Sequence, residues 1–194
     1  MDLTFEEETH TYRLNGELVP SVTQVIEAAG LKKPYHGDAW YGERGTAVHR
    51  AAHLLEDGSL DWDTVDPRIT GFLKAYDSFI REAAWKTIFS ERRMCCASLG
   101  FAGTMDKLGR MRRHDWVVDL KTGGRENWHP VQTSGYEILA SHEGLAARGS
   151  IRRAALYLRE DGTYYFEEHK ETRDAQVFRA ALITAAWKRQ NGVA

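Results

Sequence analysis

The sequence predicts an α/β fold: a central mixed β-sheet flanked by helices, preceded by an N-terminal β-hairpin and a helical segment. Three observations carry that prediction. The first residues alternate in polarity around an Asn-Gly pair, three segments before Lys86 read as helices, and the chain then switches to strand character. A further helix falls between the third and fourth strands of that second half, an order that implies a mixed sheet.

Taken in order, Leu3–Leu18 alternates and carries Asn15-Gly16, a strong short-range hairpin signal. Ser21 with Gln24 three residues on forms a capping-box pattern, opening a helix that should end near Gly30. A second helix is expected from about Asp38 to Glu56, with Gly58 as its stop. A third should start at Pro67, a good first-turn residue, and reach about Trp85, burying Ile69, Phe72, Leu73, Tyr76, Phe79 and Ile80. Strands are expected over Lys86–Leu99, Phe101–Met111 and Asp115–Lys121. A long helix over about Pro130–Ala147 follows, then a hairpin of Arg152–Arg159 and Tyr164–Glu168 across Asp161-Gly162, and a last helix over about Arg173–Gln190. With no repeat or long linker, the 194 residues are read as a single domain. It comprises an N-terminal part of about 1–85, a sheet core of about 86–170 and a C-terminal helix of about 173–191.

Composition excludes several function classes. No run approaches the roughly 20 apolar residues of a membrane helix, and the acidic start, Met1–Glu8, is neither a secretory signal nor a basic transit peptide. A cytoplasmic location without membrane association is expected. The two cysteines are neighbours, Cys95 and Cys96, and offer neither a disulfide framework nor the four thiolates of an iron–sulfur or zinc cluster. The chain lacks a Gly-x-x-x-x-Gly-Lys-Ser/Thr loop, so no ATP site is expected. A net charge of −2 argues against a domain that grips nucleic acid by charge alone.

The segment Trp116-Val117-Val118-Asp119-Leu120-Lys121 carries the chemistry. It begins as an apolar strand of a doubly covered sheet, yet places Asp119 and Lys121 two residues apart, on one strand face. Charges on a covered face need partners. The preceding strand supplies Asp106. If the turn is centred on Arg112-Arg113, Asp106 lies opposite Asp119, with Cβ atoms about 5 Å apart. If it is centred on Arg113-His114, Asp106 faces Lys121 instead. Two carboxylates that close suit a hard divalent ion, Mg²⁺ or Mn²⁺. His49, one turn after Gly45 on the second helix, is placed to complete a metal shell. Gln132 and Tyr136, four apart, share a face of the helix that follows the reactive strand.

Gly45-Thr46-x-x-His49, Gly103-Thr104-Met105-Asp106, Asp119-Leu120-Lys121 and Gln132-x-x-x-Tyr136 occur in that order. Together they resemble the RecB-type branch of the PD-(D/E)XK nuclease superfamily. The opening His10-Thr11-Tyr12 and Val19-Pro20-Ser21-Val22-Thr23 is similar to small phage nucleases. The resemblance spans roughly residues 10 to 136 and implies a restriction-endonuclease-like core. It implies that Asp106 and Asp119 hold the metal, with His49 and the main-chain carbonyl of Leu120 as further ligands. Lys121 would orient the attacking water, with Glu91 an additional acidic catalytic residue. Gln132 and Tyr136 would support the site and touch the DNA backbone, and Thr122 and Arg44 are counted with them as substrate contacts. The family often has Glu where Asp119 stands.

The implied activity is Mg²⁺- or Mn²⁺-dependent hydrolysis of DNA phosphodiesters, with exonuclease action in phage-type recombination or repair as the leading expectation. The alternative is a silent nuclease-fold module that binds DNA or serves an assembly. DNA is the expected partner, with a recombination or annealing protein, or self-association, to help hold it.

Overall fold

The computed structural model describes residues 2–33, 38–145 and 150–193. The N-terminal alternation forms an antiparallel three-stranded sheet, β1 (Leu3–Glu6), β2 (Thr11–Leu14) and β3 (Glu17–Val19). Asn15 and Gly16 have φ of 50° and 87°, the pair of positive values a two-residue hairpin turn requires, and they pair Leu14 with Glu17. The expected single hairpin therefore has a third strand, because the chain also turns back between Glu6 and Thr11.

Ser21 caps α1 (Val22–Ala28) as its sequence predicts. Its hydroxyl accepts from Gln24 N at 3.1 Å while Gln24 Oε1 accepts from Ser21 N at 2.8 Å. Helix α2 (Trp40–Glu56) begins two residues later than expected, because Asp38 stays outside the helix and accepts from Trp40 N at 2.9 Å. Helix α3 (Pro67–Glu82) follows its Asp66 cap and buries Ile69, Phe72, Leu73, Tyr76 and Phe79, with Ile80 half-buried. It stops short of Trp85. Ala84 takes a positive φ of 49°, and Trp85 turns into the core against Gly109, where a Cβ would sit 2.2 Å from the indole ring.

Five strands make the main sheet in the order β4 (Lys86–Cys96), β5 (Phe101–Met111), β6 (His114–Lys121), β7 (Arg152–Leu158) and β8 (Tyr164–His169). All neighbours are antiparallel except β6 and β7, which run parallel across α4 (His129–His142). The expected mixed sheet is present. Strand β4 ends at Cys96 rather than Leu99, because the chain turns there with Gly100 at φ 65°. Helix α4 stops at His142; its expected end, Ala147, lies outside the described residues. Helix α5 (Arg173–Asn191) closes the chain.

Two apolar layers hold the sheet. One joins α1, α4 and α5 to Met94, Phe101 and Val117 through Leu139 and Phe178. The other joins α2 and α3 to Trp116, Val118, Leu120 and Leu156 through Val48, Phe72 and Leu73. Each fully buried side chain of this kind contributes about 2 kcal/mol. The N-terminal sheet is tied to β5 by the Tyr12 hydroxyl, 2.6 Å from Thr104 Oγ1, and by Ala102 N donating to Pro20 O at 3.0 Å. Among the described residues no helix is long and apolar enough to cross a membrane.

Candidate metal centre

The turn between β5 and β6 pairs Met111 with His114, so it is centred on Arg112-Arg113, with Arg112 at φ 57°. That selects the first of the two registers. Backbone pairing runs to Lys107 and Val118, which makes Asp106 and Asp119 the next opposed positions. There the ladder gives way to a side chain: Asp106 Oδ2 accepts from Leu120 N at 2.8 Å. The strands thus open where the carboxylates begin.

On the other flank of β5, Glu91 occupies the β4 position between the pairs Ser90–Lys107 and Arg92–Met105. Its φ is 49°, a left-handed conformation that costs a non-glycine residue about 1–2 kcal/mol. Strain of this kind persists where surrounding structure enforces it, often at functional sites.

Helix α2 delivers His49 to the same place. Nδ1 lies 3.5 Å from Glu91 Oε1 and 3.6 Å from Asp106 Oδ1, and Nε2 is 3.1 Å from Leu120 O. One ligand atom each from His49, Glu91 and Asp106 fall within 4.8 Å of one another. Glu91, expected as an additional acidic residue of the site, sits among the groups that can hold a cation. Asp119, expected as a ligand, is drawn to Lys121, whose Nζ is 2.5 Å from Asp119 Oδ2.

Lys121 also donates to Gln132 Oε1 at 2.8 Å and lies over the Trp128 ring. Gln132 Nε2 in turn donates to Tyr136 Oη and Thr23 Oγ1, both at 3.3 Å. Gln132 and Tyr136 are only 5% and 6% exposed, so they hold the lysine from behind. The expected contact of Gln132 with a DNA backbone does not fit an amide whose two ends are already engaged. Arg44 and Thr122, expected to touch substrate, meet through the Thr122 main chain: Arg44 Nη2 donates to Thr122 O at 2.7 Å, with the guanidinium against Tyr41 and Phe72. They clamp α2 to the end of β6. Gly45 packs beside them, and a Cβ there would meet Thr122 Oγ1 at 3.9 Å.

The electrostatics follow from burial. Burial alone would lower the His49 pKa, but Asp106 and then Glu91 outweigh it and raise it to about 9. Asp119 is pushed up to about 6 by burial, against the pull of Lys121. Asp106 is raised by burial, with His49 opposing. Three carboxylates therefore share two cationic side chains, His49 and Lys121. Glu91 Oε1 and Asp119 Oδ2 are buried and meet only their ion-pair partners, His49 Nδ1 at 3.5 Å and Lys121 Nζ at 2.5 Å. Surplus negative charge with one imidazole is a donor set that fits a hard divalent cation. A cavity of about 720 Å³ opens in front of it, walled by the N-terminal sheet and by α2.

No known protein family matches the chain by sequence, and no curated protein does. Among solved structures, the protein described as "Crystal structure of SSO0001" is similar over 88% of this chain and 83% of that one, at 14% identity and a TM-score of 0.34. A likeness at that level carries no argument, so function rests on the site.

Sequence reasoning missed the groups behind the site. Lys107, fully buried, donates to Glu56 Oε2 at 2.5 Å and to Ser90 Oγ at 2.6 Å. Tyr76 and Thr87 both donate to Glu56 Oε1 at 2.5 Å. The available signal was a lysine between Met105 and Leu108 in a strand otherwise buried.

Proposed function

We propose that this protein is a metal-dependent deoxyribonuclease that hydrolyses DNA phosphodiesters. The observation that carries the reading is the opening of β5 from β6 at Asp106 and Asp119, with Lys121, His49 and Glu91 converging on the gap. The four motifs that resemble the PD-(D/E)XK superfamily contribute to this one place, which supports the same reading.

Asp106, Glu91 and His49 would hold a divalent ion, with the Leu120 carbonyl and Asp119 at its margin. Such an ion supplies neutralisation of phosphate charge and a lowered pKa for water. The chain's own groups do the rest. Lys121, fixed by Asp119 and Gln132, presents a positive charge toward the reacting phosphate and orients the nucleophile. Held against Asp119, it acts by charge and position rather than as a base. Asp106 fixes the β6 backbone at Leu120, keeping the Leu120 carbonyl beside His49.

Exonuclease action in recombination or repair is the finer form of this proposal. Purified protein with linear DNA and Mn²⁺ tests it against Asp119→Ala. Degradation in the wild type that stops with EDTA and is lost in a folded variant supports the reading. Full activity in Asp119→Ala overturns it, and DNA binding without cleavage by the wild type would indicate an assembly module.

A further inference from the structure

We infer that the outer face of α5, with a small cavity beside its first half, docks an acidic amphipathic helix of another protein. Apolar side chains of that helix lie on Ile183 and Trp187, and one of its carboxylates reaches Arg179. None of these residues borders the cavity in front of His49, Glu91 and Asp106, so the inference does not rest on the nuclease reading.

Pattern is the first argument. Helix α5 buries Phe178, Ala181 and Leu182 against the core it shares with α1 and α4, and turns its opposite side outward. On that side Gln176, Ala180, Ile183, Trp187 and Gln190 are all exposed, and they follow one another at alternating intervals of four and three residues. That alternation keeps a stripe on one side of a helix and is the spacing by which one helix packs along another. The centre of the stripe is apolar where a surface helix is ordinarily polar: Ile183 is 72% exposed and Trp187 56%. No residue of the stripe is charged.

Charge is the second argument. After Asp174 the helix carries Arg179, Lys188 and Arg189 and no acidic residue. The acids nearby are already engaged: Asp174 and Glu137 both meet Arg153, at 3.2 Å and 3.1 Å, and Glu143 meets Arg92 at 3.1 Å. Arg179, Lys188 and Arg189 have no ion-pair partner among the described residues. Lys188 and Arg189 also suit the C-terminal end of the helix dipole, whereas Arg179 in mid-helix has no such role. A second copy of the chain would set the same cations against these, which disfavours self-pairing. A nucleic acid would leave the Ile183 side chain against a polar backbone. A helix with acids flanking an apolar seam satisfies both the cations and the stripe.

Shape is the third argument. Arg179 borders a cavity of about 310 Å³ between α5, the C-terminal end of α4 and the turn after β4. Leu99, Ile138 and Ala175 give it apolar walls, and Arg179 and His142 supply polar groups. A space at the lower end of small-ligand pockets admits one or two side chains, which suits an anchor at one end of a docked helix. Arg179, Ile183 and Trp187 are four residues apart in turn, so cavity and stripe form one continuous surface. Its extent places the complex among weak, transient interfaces.

Fluorescence anisotropy with labelled probes reads the docking. One probe is a helical peptide with leucines at the same four-three spacing, flanked by glutamates. The second carries lysines in place of the glutamates, and the third is an oligothymidine. The glutamate peptide should bind about tenfold tighter than the lysine peptide, and lose about tenfold in Ile183→Ser and about fivefold in Arg179→Ala. The double variant Arg179→Glu/Arg189→Glu should reverse the preference between the two peptides. Circular dichroism checks that each variant keeps its fold, as the exposure of Ile183 and Arg189 leads one to expect. Equal affinity for the two peptides overturns the inference, as does binding that Ile183→Ser and Trp187→Ser leave unchanged. Oligothymidine binding that is lost in Ile183→Ser assigns the face to nucleic acid, and self-association in sedimentation that is lost in Ile183→Ser assigns it to a second copy; either overturns the inference. Docking by a protein that cleaves no DNA in Mn²⁺ supports the surface while overturning the nuclease reading, so the two fail separately.

Discussion

Lys107→Met removes a buried cation while nearly keeping its shape. The lysine side chain is fully enclosed and Glu56 is 9% exposed at its side chain. In the variant Glu56 keeps Tyr76 and Thr87 as donors, but both bond Oε1, and Oε2 loses the donor it had. Breaking a buried pair from one side costs about 3–5 kcal/mol. The two remaining hydroxyls place the expectation at the lower end, about 3 kcal/mol. For a chain of this size that is a fall in Tm of about 6–12 °C. The effect should reach the site as well. Lys107 adjoins Asp106, its partner Ser90 adjoins Glu91, and Glu56 is two turns beyond His49 on α2. Urea unfolding gives the stability, and calorimetric titration with Mn²⁺ gives metal affinity. The double variant Lys107→Met/Glu56→Gln removes the stranded charge and should recover at least half the loss. A single-variant cost below about 1 kcal/mol, or no recovery in the double variant, refutes the reasoning.

Gly71 lies against the Glu160 carbonyl, and a Cβ there would be 1.7 Å from that oxygen. Gly71→Ala should therefore cost about 3 kcal/mol in urea unfolding, since backbone and not a flexible side chain must move. Gln132→Leu removes the acceptor that holds Lys121; kcat on DNA should fall by about tenfold or more, with Mn²⁺ affinity unchanged. Histidine titrations by NMR should split. His49, raised to about 9, is charged in the fold, so its contribution to stability is full below about 6.5 and is lost as pH rises toward 9. His129, lowered to about 3 by burial and by Lys121, is neutral in the fold, and its contribution is lost as pH falls from about 6.5 toward 3. Added Mg²⁺ should release the His49 proton near neutral pH and leave His129 unmoved.

The parts of the fold legible in the sequence are those fixed by local chemistry. Ser21 with Gln24, Asn15 with Gly16 and Pro67 after Asp66 each satisfy a backbone need within a few residues, and each forms as its spacing predicts. Asp106, Asp119 and Lys121 were legible because charges in a covered strand require partners. The choice between the two registers was not, because Arg112 adopts the left-handed turn that Asn or Gly would have signalled. Nor did the sequence mark Glu91 as strained or Trp85 as a core residue rather than a helix end; both depend on contacts across the sheet. The bond from Arg44 to the Thr122 carbonyl was not legible, because nothing local shows that two polar groups so distant in sequence will meet. The same long-range closure hid Lys107 and Glu56.

Cleavage of end-labelled DNA in Mn²⁺, compared between the wild type and Lys121→Met, tests the central claim most directly. The account predicts cleavage that EDTA abolishes and that falls about a hundredfold or more in the variant, while calorimetric Mn²⁺ affinity stays within a few-fold. Cleavage by Lys121→Met at the wild-type rate, or a wild type that binds Mn²⁺ and leaves every DNA intact, would contradict it.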